Sequence, residues 1–62
     1  MKLNGTQLEI EQAVVHHLGL GSTMDILTIT EQEYRLEVIL EDGSHCIVNK
    51  QPIMEYIKQN AR

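Results

Sequence analysis

YRLEVILEDG, residues 34–43, decides the fold. Tyr34, Leu36, Val38 and Leu40 alternate with Arg35, Glu37, Ile39 and Glu41. Alternation of this kind describes a β-strand with one face buried, because successive side chains of a strand point to opposite sides. Asp42-Gly43 then provides the positive φ that a tight hairpin turn needs. The strand therefore expects a partner on its C-terminal side, and residues 44–49 supply one.

Upstream, residues 23–30 (TMDILTIT) are apolar and β-branched without helical period, which reads as a first strand. Glu31-Gln32-Glu33 reads as the turn into the central strand. Before it, Thr6 is an N-cap and Glu9, three residues on, completes a capping box. Thr6, Leu8 and Ile10 also alternate as a short strand would, so the two readings compete in this first turn. From Gln7 to Leu18 the apolar residues Ile10, Ala13, Val14 and Leu18 share one helical face, with Gly19 and Gly21 placed to end the helix. At the other end Pro52 suits the first turn of a helix, and Ile53, Ile57 and Ala61 recur at a spacing of four, flanked by Met54 and Tyr56. Lys58 and Arg62 lie near the end of that helix, where cations suit its dipole. The expected fold is one small α+β domain over residues 1–62, in the order α-β-β-β-α. Its sheet is a three-stranded antiparallel meander with two helices packed on one face.

Register decides which side chains the other face presents. A two- or four-residue loop after the first strand sets Ile29 against Leu36 and Leu27 against Val38 on the core side, with Ile26 against Ile39 on the far side. A three-residue loop buries Thr28 and Thr30 instead. In the second hairpin a two-residue loop places His45 and Asn49 in the core. A three-residue loop, Glu41-Asp42-Gly43 with Gly43 at a bulge, places Cys46 and Val48 there, which core hydrophobicity favours. The uncovered face then holds Met24, Ile26, Ile39 and Ile47, with His45, Arg35, Glu37 and Glu41 beside them. Apolar groups clustered on a solvent-facing sheet mark an association site, and these residues form the expected interface.

Composition narrows the function. Nine acidic against five basic residues leave a net charge of −4. This argues against nucleic acid, whose binding relies on Lys and Arg displacing counterions from phosphates. Cys46 is the single cysteine, so no disulfide forms within the chain and a reducing compartment is expected. The sequence turns polar within its first five residues, so the expectation is a cytoplasmic protein without a leader, and no apolar run is long enough for a membrane span.

His16-His17 and His45-Cys46 raise the question of metal or nucleophile chemistry. Adjacent residues diverge on a helix and point to opposite faces of a strand, so neither pair chelates as a pair. For the same reason His45 cannot serve Cys46 as a base. The carboxylates Glu31, Glu33, Glu37, Glu41 and Asp42 cluster at turns and on the outer face, where solvation accounts for them. Gly19-Leu20-Gly21-Ser22 leads into a strand rather than a helix, unlike a phosphate loop. No catalytic residue, cofactor or metal is expected.

The order α-β-β-β-α resembles that of double-stranded-RNA-binding domains and of small toxin ribonucleases built on the same layout. The RNA-binding version opens its last helix with a cluster of lysines, whereas this chain has Lys50 alone, followed by Gln51 and Pro52. The ribonuclease version carries Gly-Ser-His before its second strand, whereas here Gly43-Ser44-His45 comes one hairpin later. In layout the chain is also similar to some acidic phage-encoded inhibitors that set a short sheet between helices. The leading expectation is a non-enzymatic protein–protein interaction module, either a homodimer or bound to another protein. The alternatives are a phage or mobile-element type of acidic inhibitor of a host or nuclease protein, and a nucleic-acid-associated domain or ribonuclease on the RNA-binding layout.

Overall fold

The computed structural model describes Leu3 and residues 5–60. Ala61 and Arg62, assigned above to the last helix, lie outside the described residues, as does Asn4. The elements are α1 (Gln7–Leu18), a 3-10 turn (Thr23–Asp25), β1 (Ile26–Glu31), β2 (Arg35–Leu40), β3 (His45–Asn49) and α2 (Lys50–Asn60). The sheet is antiparallel in the order β1-β2-β3, so the fold is α+β in the order α-β-β-β-α.

Helix α1 begins where its capping box does. The Thr6 hydroxyl accepts the Glu9 N–H at 3.2 Å, and the Glu9 carboxylate accepts the Thr6 N–H at 2.8 Å. Two of the N–H groups that a helix start leaves unpaired are thereby satisfied, which stabilises the helix by about 1 kcal/mol. This settles the competition with a strand. At the other end Gly19 takes the left-handed conformation, φ 71°, and the chain turns away with the Leu20 N–H on the Val15 carbonyl.

One core joins both helices to one face of the sheet. Ala13 and Val14 of α1, Ile53 and Ile57 of α2, and Leu36, Val38 and Val48 of the sheet are buried together. Ile10, Leu18, Met54 and Tyr56 pack at its margin. Leu3 is buried with them; it precedes any periodic pattern, and sequence reasoning missed it.

The second hairpin has the expected register. Cys46 opposes Val38 and Val48 opposes Leu36, so both turn toward the helices. The Leu40 N–H bonds the Ser44 carbonyl, and the Gly43 N–H bonds back to the Leu40 carbonyl, closing the three-residue loop Glu41-Asp42-Gly43. Gly43 has φ +90°, with open space where a Cβ would stand. A side chain there meets no clash, yet it strains the backbone. Gly43→Val is therefore expected to lower stability by about 1–2 kcal/mol, and Gly43→Asn by clearly less. Chemical denaturation of the two variants checks the order. Beside the turn, the Ser44 hydroxyl and N–H hold the Asp42 carboxyl below the usual carboxylate range.

The first hairpin departs from expectation in three ways. Ile29 opposes Val38 and Glu31 opposes Leu36, a shift of two residues from the expected pairing. The turn is Glu33-Tyr34, closed by the Gln32 N–H on the Arg35 carbonyl, and Tyr34 is exposed rather than part of the strand. A two-residue shift keeps every side chain on its own face, so Ile29 still packs against the core. It also brings Glu31 to the end of the core-side row, where it meets Lys50. Second, β1 starts late. Ser22 and Asp25 form a capping box around residues 23–25, and the Asp25 carbonyl accepts the Glu41 N–H. Third, the pairing is irregular between Ile26, opposite Leu40, and Thr28, opposite Ile39. Leu27 is the extra residue of a β-bulge. The bulge reverses the phase of the strand ahead of it, so Ile26 packs inward and Leu27 is expelled.

Candidate functional site: the helix-free face of the sheet

The side chains of Leu36, Val38, Cys46 and Val48 point to the helices, so those between them point away. Arg35, Glu37 and Ile39 of β2 and His45, Ile47 and Asn49 of β3 form the helix-free face, joined by Thr28 and Thr30 of β1. Cross-strand pairs set Glu37 against Ile47 and Ile39 against His45. Ile47 is 55% exposed, and Leu27, displaced by the bulge beside the Ile39 pairing, is 58% exposed.

Five of the seven residues named from sequence therefore share this face: Ile39, Ile47, His45, Arg35 and Glu37. Two do not. Met24 sits on the 3-10 turn, 82% exposed and off the sheet. Ile26 packs against the core opposite Leu40. Both errors come from the bulge and the late strand start, and an unbroken alternation cannot signal either. Leu27, expected in the core, is exposed instead.

The histidines are dispersed. His45 lies on the helix-free face while Cys46 turns toward the core, so the two face apart as adjacency requires. His16 stacks on Tyr56 of α2 with ring centroids 4.6 Å apart, which ties α1 to α2 beside an open groove of about 700 Å³. Among the described residues no group of three or more His, Cys, Asp or Glu side chains comes together as metal ligands would.

Lys50 has a place the sequence did not show. As the first residue of α2 it is 2% exposed, and its Nζ lies 2.7 Å from Glu31 Oε2, a carboxylate 45% exposed. Glu31, grouped above with solvated turn carboxylates, is thus a structural partner. The lysine that stands where the RNA-binding layout places its phosphate contacts is directed into the protein. Among the described residues no helix is long and apolar enough to cross a membrane.

Comparison with protein-family models, with curated proteins and with solved structures returned no match.

Proposed function

We propose that the chain is a non-enzymatic protein-contact module that associates with a second copy of itself through the helix-free face. The observation that carries this reading is that Ile39 and Ile47 lie on the side of the sheet away from both helices, with Ile47 and the bulged Leu27 more than half exposed. An apolar patch with a polar border is the usual anatomy of a contact surface. The border here contains both signs, Arg35 and Glu37, from one strand. A two-fold axis sets the same patch of two chains together, and a border that carries both signs avoids the uniform repulsion that a border of one sign would impose.

The burial of Lys50 against Glu31 favours this reading over phosphate recognition, because it removes the cation that the RNA-binding layout would use. A net charge of −4 points the same way.

Ile39→Lys is the test. The substitution places a charge at the centre of the patch, and at a half-buried position outside the main core it leaves the fold intact. The wild-type mass in solution is expected to rise with concentration, whereas the variant stays monomeric and melts at a temperature independent of concentration. A wild type that stays monomeric at high concentration, with a variant that unfolds outright, would return Ile39 to the core and end the proposal.

A further inference from the structure

The edge of the sheet formed by β3 has a pattern that the face does not explain. The Leu40 N–H bonds the Ser44 carbonyl, and the Lys50 N–H bonds the Tyr34 carbonyl at 3.0 Å. In an antiparallel ladder bonded and non-bonded pairs alternate, so the register makes Val38–Cys46 and Leu36–Val48 the bonded pairs between these two ends. The backbone groups of His45, Ile47 and Asn49 consequently point away from β2. All three residues are exposed. The Asn49 carbonyl precedes α2 and serves its first helical bond. The N–H of all three residues and the carbonyls of His45 and Ile47 remain directed outward.

Sheets normally blunt such an edge with a charge, a proline or a bulge. The opposite edge, β1, does so: it is bulged at Leu27 and ends in Glu31, which is engaged with Lys50. Strand β3, HCIVN, has no charged residue, no proline and no irregularity in its pairing.

We infer that β3 is a second contact surface, on which β3 of another copy pairs antiparallel about a two-fold axis at Ile47. This inference rests on the reading that the chain self-associates and names a further place where it does so. The register follows from the outward groups. Each Ile47 N–H bonds the Ile47 carbonyl of the other copy, and each Asn49 N–H bonds the other His45 carbonyl. This pairing overlaps the whole strand. On the helix-free side Ile47 meets Ile47 and His45 meets Asn49; on the helix side Cys46 meets Val48. No charge meets a like charge, so a chain of net negative charge repels itself least along this line. A copy fits this edge because the sequence is complementary to itself about Ile47, and the strand carries no charge that would select a different partner. The axis of this pairing is perpendicular to the sheet, whereas the axis of face-to-face association lies in its plane. Where both contacts form and their axes intersect, the assembly closes with dihedral symmetry.

Asn49→Pro separates the two contacts, because Asn49 lies outside the apolar patch of the face. Among the described residues its N–H has no backbone partner, and an edge strand accepts proline at such a position. The mass of the assembly is expected to halve in Asn49→Pro. Hydrogen exchange on the wild type gives a readout that needs no variant to fold. The Ile47 and Asn49 amides, without a backbone partner among the described residues of one chain, are expected to exchange slowly at assembling concentrations and freely on dilution. A wild type that assembles while these amides exchange freely overturns the edge pairing; unchanged mass in Asn49→Pro and dissociation in Ile39→Lys then leave face association standing. The reverse result, halved mass in Asn49→Pro and unchanged mass in Ile39→Lys, retains the edge and removes the face. A wild type that is monomeric throughout removes both.

Discussion

Ile53→Ala is expected to unfold the chain at room temperature. Ile53 is fully buried in α2 and packs in the cluster that joins both helices to the sheet. Truncation to alanine removes apolar contacts and leaves a cavity, which costs about 2–5 kcal/mol. A core of this size supplies roughly 3–5 kcal/mol of net stability, so one truncation is comparable with the whole. Leu8→Ala is the control. Leu8 is a residue of similar size on α1, but it is more than half exposed, and its truncation is expected to cost about 0.5 kcal/mol or less. Far-ultraviolet circular dichroism against urea, at one fixed dilute concentration, compares the two. Similar midpoints for Ile53→Ala and wild type would mean that α2 does not close the core.

The second large effect concerns Lys50 and Glu31. An exposed ion pair contributes less than about 1 kcal/mol, whereas breaking a buried pair by removing one partner costs about 3–5 kcal/mol. This pair lies between those limits, because Lys50 is buried and Glu31 is half exposed. Glu31→Lys sets a second cation where the buried ammonium has its anion, and is expected to cost about 2–4 kcal/mol. Lys50→Met is expected to cost much less. It keeps an apolar stem of similar length in the buried space, removes a cation from the first turn of α2 and leaves Glu31 at a position that water reaches. The order is the decisive feature: loss of the anion harms more than loss of the cation, because only the cation is buried. Combining Glu31→Lys with Lys50→Glu should recover part of the loss, measured as coupling in a double-mutant cycle. Equal costs for Glu31→Lys and Lys50→Met would show that solvent reaches both ends of the pair.

The pair also ties the register of the first hairpin to the start of the last helix. With Glu31 opposite Leu36, its carboxylate reaches the Lys50 ammonium; in the expected register Glu31 would instead belong to the turn. A two-residue slip is invisible to patterning, since it leaves each side chain on the same face. The contact between residues nineteen apart distinguishes the two registers. Shifting the hairpin thus leaves an ammonium without its carboxylate, a penalty that hydrophobic alternation alone does not impose.

The candidate face was legible where its signals are local. Arg35, Glu37 and Ile39 follow from the alternation of β2, and His45 and Ile47 follow from the loop ending in Gly43, whose φ of +90° is a demand of the turn itself. Ile26 and Leu27 exchanged roles because a bulge adds one residue without any change in composition. Both are large and apolar, so either satisfies the core. The geometry at Asp25 and Glu41 favours Ile26.

By itself the sequence determined the order of helices and strands, the turn at Gly43 and the inward direction of Cys46 and Val48, and it left the first turn of α1 between helix and strand. Each of the three rests on interactions within a few residues, such as the positive φ that a turn glycine supplies, or on a period that persists along a strand. Only the tertiary structure decided the pairing of β1, the expulsion of Leu27, the burial of Leu3 and the partnership of Lys50 with Glu31. These depend on which distant groups arrive at the same place, and the energy that selects among them exists only once the helices cover the sheet. The outward backbone groups of β3 belong to both: turn chemistry sets their phase, and in the three-dimensional arrangement no described strand pairs with that edge.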